Sequence, residues 1–175
     1  MTTRRQFVQA TAGTALMGAL GLQNALAQAG LDMVKIVNGF PAGGTADLTS
    51  RRVADKLPGA GYGKTAIVEN KTGAAGRIAV EAVKNAPADG SVLLLTPYSM
   101  IPIYPHIYKT LSYDPFKDVV PVCLGSSLSH GLAVGPLVPA SVKTVKDFIA
   151  WAKANPNDAN YGSPAAGSTP HFLGA

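Results

Sequence analysis

The stretch FPAGGTADL, residues 40 to 48, combines residue types and spacing that could bind an anion. It places Gly43 and Gly44 between an extended apolar run and a segment with helical periodicity. The first turn of a helix exposes unpaired backbone N–H groups at the positive end of the helix dipole, where an anion can bind. Glycines allow positive φ and close approach of a ligand, and Thr45 can cap the helix or donate its hydroxyl. The alternative interpretation is a tight strand-to-helix turn without a ligand.

These glycines do not match the motifs that bind nucleotides. Neither GxGxxG nor the P-loop pattern GxxxxGK followed by Ser or Thr occurs in the chain. The segment PGAGYGKT at 58–65 has only three residues between Gly59 and Gly63, and it leads into a strand rather than a helix. The sequence therefore predicts no nucleotide and no other cofactor.

The first 27 residues have the features of an export signal. Arg4 and Arg5 precede a mildly apolar stretch, and Ala25-Leu26-Ala27 fits the small-residue cleavage rule. The pattern predicts a twin-arginine signal that is cleaved after Ala27, and hence a periplasmic protein. The alternative, an N-terminal membrane anchor, is disfavoured because the apolar run is shorter than the ~20 residues that span a bilayer.

Charge and side-chain chemistry exclude several classes of function. The formal net charge is +5, and without residues 1–27 it is +3, because that segment holds two arginines and no acidic residue. The basic residues are scattered, which disfavours nucleic-acid binding but suits a small anionic ligand. No metal site is predicted, since the three histidines lie far apart and there is a single cysteine. That cysteine, Cys123, lies in an apolar run and is predicted to be a buried thiol.

Hydrophobic periodicity predicts alternating strands and helices. A βαβαβ unit is predicted with strands at 33–39, 65–70 and 91–96 and helices at 46–57 and 75–86. The run SVLLLT is typical of a strand buried on both faces. A loop with a short helical turn follows at 97–108, and a domain boundary is placed near residue 100, giving a first lobe of residues 28–100 and a second lobe of residues 101–175.

The second lobe is predicted to contain three strands and two helices. The strands are expected at 119–125, 130–136 and 159–163. Thr144 and Asp147 form a capping-box pattern at the start of a helix that ends at Asn155-Pro156. Another helix begins close to residue 172, and its interruption after about one turn predicts that the chain is a fragment.

Three Gly-rich strand-to-helix junctions recur, at 40–48, 70–79 and 161–172. Ligands of open α/β sheets bind outside the carboxyl ends of the strands, so such junctions can converge on one cleft. Their recurrence predicts a binding site.

The chain resembles the tripartite tricarboxylate transporter substrate-binding family, the Bug-type periplasmic solute-binding proteins. Six stretches carry the resemblance in order and cover nearly the whole chain after the export signal: VKIVNGFPAGGTADLTSRRVADKL, IVENKTGAAGRIAVEAV, APADGSVLLL, LSYDPFKDVVPV, VPASVKTVKDFIAWAKANP and NYGSPAAGSTPHFLGA. The sequence departs from the family pattern at Ala75 and Ala165, where glycine is usual. It also departs at Tyr98, a side chain that could narrow the cleft or stack on an aromatic acid. Family members also run well beyond residue 175.

The resemblance implies an α/β, periplasmic-binding-protein-like fold of two Rossmann-like domains, the second incomplete in this chain. It implies a monomeric receptor that captures a small organic carboxylate and delivers it to the membrane components of a tripartite transporter. One loop from each domain would hold the carboxylate. The residues that match these loops are Ala42, Gly43, Gly44, Thr45 and Asp47 in the first, and Ser163, Gly167, Ser168 and His171 in the second.

Two of these side chains, and the class of protein itself, leave alternatives open. Asp47 could cap the helix or order waters next to a ligand, or it could be a first-turn acid favoured by the helix dipole. His171 could lie near a helix N-terminus without any ligand role. The competing class is an exported serine hydrolase of α/β fold that uses Ser163 or Ser168 with His171, although the GxSxG motif of such enzymes is absent.

Overall fold

A computed structural model describes residues 30–175 as a mixed α/β protein, and the predicted export signal lies outside these residues. The elements in chain order are β1 (Leu31–Asn38), α1 (Thr45–Ala54), β2 (Gly63–Asn70), α2 (Arg77–Lys84), β3 (Val92–Leu95), α3 (Tyr104–Ile107), α4 (Val145–Ala154) and α5 (Thr169–Gly174). Short 3₁₀ turns occupy Ala74–Gly76 and Tyr98–Met100. None of the helices in residues 30–175 has the length and apolar character needed to cross a membrane.

The three strands form one parallel sheet in the order β2-β1-β3. This confirms the predicted βαβαβ unit. Asn38 at the carboxyl end of β1 lies opposite Asn70 of β2 and Leu95 of β3, so all three strands end at the same edge of the sheet. The central strand β1 is the most buried, and its Val34, Ile36 and Val37 are at most 1% exposed. The prediction that the run SVLLLT is buried on both faces is wrong, because β3 is an edge strand whose residues are half-buried.

The main core of the described residues lies where α2 meets the segment after β3. Val80 of α2 packs with Met100, Tyr104 and Tyr113, which are all nearly inaccessible to solvent. The hydroxyl of Tyr113 donates to the carbonyl of Met100 at 2.7 Å. Burial raises the pKa of Tyr113 to about 12, so this hydroxyl keeps its proton at any physiological pH. The partly buried Leu94 of β3 packs against this cluster, which therefore joins α2 to the sheet.

Three of the predicted strands do not form. Residues 119–125, 130–136 and 159–163 are free of regular secondary structure, although their apolar patterns suggested strands. A strand needs a neighbour to pair its backbone groups, and the sheet in residues 30–175 contains only β1, β2 and β3. As a result Val120, Val122 and Leu124 are more than 80% exposed. The prediction of a buried thiol is wrong for the same reason, because Cys123 in this segment is exposed.

Helix α4 begins and ends as its sequence predicts. The Thr144 hydroxyl accepts a hydrogen bond from the Asp147 N–H at 3.2 Å, and Asp147 accepts one from the Thr144 N–H at 3.0 Å, which confirms the capping box. The helix ends at Ala154, just before Asn155-Pro156. None of its residues is buried, so its apolar face has no covering element among residues 30–175. Local capping thus fixes this helix without tertiary packing.

Candidate functional site

The first loop, residues 40–45, connects the carboxyl end of β1 to the N-terminus of α1. Gly43 has φ of +85°, a conformation that side-chain-bearing residues rarely adopt. Gly44 is the N-cap of α1 and has φ of −75°, so the expectation of positive φ holds for Gly43 alone. Of the two roles predicted for Thr45, helix capping is contradicted because Thr45 is the first helical residue, and donation of its hydroxyl to a ligand stays a prediction. Residues 41–45 are exposed, and the loop therefore presents its backbone to solvent.

Several backbone donors of this loop and of the first turn of α1 have no partner. Within residues 30–175, the N–H groups of Ala42, Thr45 and Ala46 make no hydrogen bond, and the Gly44 N-cap has no side chain that could accept one. These donors lie at the positive end of the ten-residue helix α1. Together with the exposed Thr45 hydroxyl they can hold one anion, and a carboxylate needs only a few such donors.

Asp47 lies beneath the loop and holds it in shape. Its side chain is 2% exposed, and its Oδ2 accepts hydrogen bonds from the Gly43 N–H and from Arg51 Nε, both at 2.9 Å. Oδ1 accepts a third bond from Asn70 Nδ2 at 2.9 Å. The bonds from Arg51, Gly43 and Asn70 lower the pKa of Asp47 from 3.8 to about 2, so the carboxylate is ionised at neutral pH.

The contacts of Asp47 narrow the roles that the sequence left open for this residue. Asp47 is in the first turn of α1, but its carboxylate bonds to a backbone N–H that precedes the helix and to two side chains. Its charge is compensated by Arg51, and it is covered by the loop. Asp47 thus shapes the loop from below, and the exposed backbone donors are the groups that could contact a ligand.

The β2–α2 junction, residues 71–76, lies directly against the first loop. A Cβ added to Gly39 would be 2.7 Å from the Gly76 Cα, so the two backbones touch where only glycine fits. Gly73, Ala74, Ala75 and Gly76 all have positive φ. Ala74 and Ala75 adopt this conformation against the steric preference of alanine. The first two Gly-rich junctions therefore meet at one edge of the sheet.

The second loop, residues 163–168, has a polar network of its own. The hydroxyls of Ser163 and Ser168 both donate to the carbonyl of Ala165, at 3.4 and 2.6 Å. Gly167 has φ of +78°, and its N–H donates to His171 Nδ1 at 3.3 Å. The His171 imidazole thus accepts from the backbone, and neither serine hydroxyl is bonded to it. The arrangement contains no nucleophile activated by a base, so it gives no support to the hydrolase alternative.

Helix α3 connects the second loop to the β2–α2 junction. The Tyr108 hydroxyl donates to the carbonyl of Ala166 at 3.3 Å, and Gly167 contacts the Ile107 side chain. The guanidinium of Arg77 lies 4.0 Å from the centre of the Tyr108 ring, a cation–π contact. Among the hydrogen bonds of residues 30–175, none joins the first loop directly to the second. The structure thus groups the nine predicted residues into two separate sets.

Three further residues support the first loop and were not predicted from the sequence. Asn38 and Asn70 occupy the last positions of neighbouring strands, and both donate to the carbonyl of Phe40, at 3.3 and 3.0 Å. Arg51 pairs with Asp47 one turn along α1. One signal in the sequence was that Asn70 ends the predicted strand at 65–70, while Asn38 lies one residue before the end of the predicted strand at 33–39. The i, i+4 spacing of Asp47 and Arg51 was a second local signal.

No group of three or more His, Cys, Asp or Glu side chains in residues 30–175 is arranged to hold a metal ion. The donors at the first loop are instead backbone N–H groups and a hydroxyl, which are anion ligands rather than cation ligands. These groups are therefore better suited to an anion than to a metal cation.

Comparison with known proteins gives a consistent family. A family model described as "Tripartite tricarboxylate transporter family receptor" matches residues 49–174. The chain is 35% identical to the "UPF0065 protein in gbd 5'region" of Cupriavidus necator, in an alignment that covers 97% of this chain and 52% of that protein. It is 31% identical to another UPF0065 protein, from Bordetella bronchiseptica, over 81% of this chain and 41% of that protein. It is 28% identical to "Protein BugT" of Bordetella pertussis, over 80% and 42% respectively.

These relatives are longer proteins, and the chain spans about half the length of the curated relatives it matches. The family match nevertheless extends from α1 to the last helix, well over half of the chain. It confirms the resemblance that the six sequence stretches indicated. The chain therefore belongs to the tripartite tricarboxylate transporter receptor family.

Proposed function

We propose that this chain is part of a periplasmic receptor that captures a small organic carboxylate and delivers it to the membrane components of a tripartite transporter. One observation carries the proposal: the N–H groups of Ala42, Thr45 and Ala46 are unpaired at the start of α1. Because Arg51 compensates Asp47, the buried carboxylate beneath the loop does not repel an arriving anion. Membership of the receptor family supports the same function.

The first loop would bind the carboxylate through Ala42, Thr45 and Ala46, with Gly43 and Gly44 permitting close approach. The Gly43 N–H is bonded to Asp47, so it shapes the loop and is not one of the free donors. A ligand carboxylate accepting charge-assisted hydrogen bonds from three backbone groups needs no lysine and no metal. This fits the mild positive charge of the chain.

A second lobe would close over the ligand. We assign residues 28–100 to the first lobe and 101–175 to the second, with Ser163, Gly167, Ser168 and His171 facing the ligand on closure. Both serine hydroxyls donate to Ala165 in this structure, so capture would require at least one of them to turn toward the carboxylate. A monomer that closes around one ligand is the form of receptor we propose.

Residues 1–27 would direct export of the folded protein through the twin-arginine route. The periplasm is the compartment where a receptor can meet both its solute and the outer face of a membrane transporter. The protein would have no enzymatic activity, in line with its membership of a receptor family. Secretion of an Arg4→Lys, Arg5→Lys double variant should fail, leaving uncleaved precursor inside the cell.

The proposal is tested by following backbone amides with NMR while carboxylates are added. Succinate, citrate and benzoate are each titrated beside the corresponding methyl ester, which has the same carbon skeleton but no charge. The acid should shift the amides of Ala42, Thr45 and Ala46, and the ester should not. Loss of two charge-assisted hydrogen bonds, each contributing about 1.5 to 3 kcal/mol, corresponds to a loss of affinity of about a hundredfold or more.

A pair of isosteric variants provides the control. Thr45→Val removes the hydroxyl at the proposed site, while Thr65→Val removes an exposed hydroxyl on β2 that bonds to the carbonyl of Asp32. Only Thr45→Val should weaken binding of the acid. Equal shifts with acid and ester, or shifts confined to amides outside residues 40–47, would overturn the proposal.

A further inference from the structure

We infer that Asn70 is a positioning residue that fixes the conformation of the first loop from the neighbouring strand. The inference rests on the proposed function, because it assigns Asn70 to the carboxylate site without direct contact with the ligand. Asn70 lies at the end of β2, and the side chain it supports belongs to α1. The loop would therefore depend on a residue 23 positions away from Asp47 in the chain.

The contacts of the Asn70 amide define this role. Its Nδ2 donates to the carbonyl of Phe40 at 3.0 Å and to Asp47 Oδ1 at 2.9 Å. Both partners are acceptors only, so the amide nitrogen, with its two hydrogens, must face them. One hydrogen is thus bonded to the start of the loop, and the other is bonded to the carboxylate beneath the loop.

The bond from Asn70 to Asp47 connects β2 to the backbone of the first loop. Asp47 Oδ2 accepts from the Gly43 N–H, while Oδ1 is held by Asn70. Arg51 bonds to the same Oδ2 as Gly43, so it compensates the charge but does not connect Asp47 to the sheet. Asn70 is the contact that ties this carboxylate to β2, and through it the orientation of Gly43.

The side chain must be an amide in order to do this. A carboxylate at position 70 has the same shape but can only accept hydrogen bonds when ionised. It would face Asp47 and the Phe40 carbonyl, both of them acceptors. Two carboxylates at hydrogen-bond distance cannot both be ionised without strong repulsion, so the pair would share one proton at low pH and separate at high pH.

The other charges near this pair are already engaged. Arg51 is bonded to Asp47 from α1, and Glu69, which precedes Asn70, is paired with Lys35 on β1 and with Lys71. Asn38, opposite Asn70 in the sheet, is uncharged. An Asn70→Asp variant should therefore show a pH dependence that comes from its contact with Asp47.

The experiment measures hydrogen-exchange protection of the Gly43 amide at pH 4.5 and pH 8 in the full chain. In Asn70→Asp, protection at pH 8 should fall by about tenfold or more relative to wild type and should recover at pH 4.5, where a shared proton restores the bond. Wild type should show the same protection at both pH values. Asn85→Asp is the matched control, since Asn85 Nδ2 also donates to a backbone carbonyl, that of Glu81, away from the loop.

Protection of the Val37 amide in the centre of the sheet reports whether each variant is folded. If Asn70→Asp loses Val37 protection as well, Asn70→Ser, which keeps a hydroxyl donor, replaces it and should lower Gly43 protection at both pH values. Unchanged Gly43 protection in a folded variant would overturn the inference. Failure of the proposed function gives a different result, in which Gly43 responds as expected but succinate shifts no amide of residues 40–47.

Discussion

Replacing Gly43 by alanine should weaken carboxylate binding, while the same change at Gly61 should not. The two glycines are matched, with φ of +85° and +74°, and a Cβ at either position would meet no atom within 4 Å. Gly61 lies in the turn between α1 and β2, away from the first loop. Both variants share the conformational cost of alanine. A difference in carboxylate affinity between them therefore reports an effect at the first loop.

The magnitude follows from the backbone conformation alone, because neither Cβ clashes. Alanine with positive φ destabilises the native state by about 1 to 2 kcal/mol. Alanine also reduces the conformational freedom of the unfolded chain, which offsets about 0.4 to 1 kcal/mol of that loss of stability. Both variants should therefore lose stability by about 1 kcal/mol, which lowers the melting temperature of a chain of this size by about 2–4 °C. At Gly43 the same strain favours other loop conformations over the one that binds the ligand. A cost of about 1 kcal/mol to the binding conformation raises the apparent Kd for the carboxylate by about fivefold or more.

The assay is a succinate titration of both variants and wild type, with thermal unfolding measured on the same samples. The expected result is similar melting temperatures for the two variants and weaker binding for Gly43→Ala alone. Equal affinities for Gly43→Ala and Gly61→Ala would refute the argument that the left-handed conformation at Gly43 shapes the site. A much larger loss of stability at Gly43 would show that the residue has a packing role that its open surroundings do not predict.

Three further outcomes are expected. Gly76→Ala should lower the free energy of unfolding by about 2 to 5 kcal/mol in urea titrations, because φ is +86° and the Cβ would meet the Met100 side chain. Tyr113→Phe should cost about 1 to 3 kcal/mol in the same assay, since it leaves the buried carbonyl of Met100 without its donor. Asp47 should stabilise the native state above pH 3.8, its usual pKa, and this contribution should be lost as the pH falls toward about 2. In Asp47→Asn, unfolding measured from pH 6 to pH 2 should depend less on pH than in wild type.

The sequence was sufficient where the determining interactions are local. The alternation of apolar runs predicted the order of β1, α1, β2, α2 and β3, and the capping box predicted where α4 begins. Helix and strand bounds differed by a few residues, as at α1, which ends at Ala54 rather than at residue 57. These features depend on contacts within a few residues of each other, and such contacts can be recognised from spacing.

Residues 119–125 and 130–136 show where a local pattern is insufficient. Their apolar side chains suggested strands, but a strand is stable only when a second strand accepts and donates the ladder hydrogen bonds. No strand of residues 30–175 lies beside these segments, and Pro121 removes one donor in addition. Periodicity indicates which face of a segment is apolar, whereas the existence of the strand depends on residues far away in the chain.

The first loop of the candidate site combines features that were predictable from local sequence with features that depend on long-range contacts. The glycines and Asp47 were recognised from residue types next to a predicted helix start, but their roles came from the structure. Gly43 combines a positive φ with an N–H that donates to Asp47, and Asp47 also accepts a hydrogen bond from Asn70, 23 positions away in the chain. The N–H groups of Ala42, Thr45 and Ala46 thus stay unpaired above a carboxylate that a residue of the neighbouring strand contacts. A sequence pattern can indicate that a helix start is able to bind an anion, but the orientation of its N–H groups depends on long-range contacts of this kind.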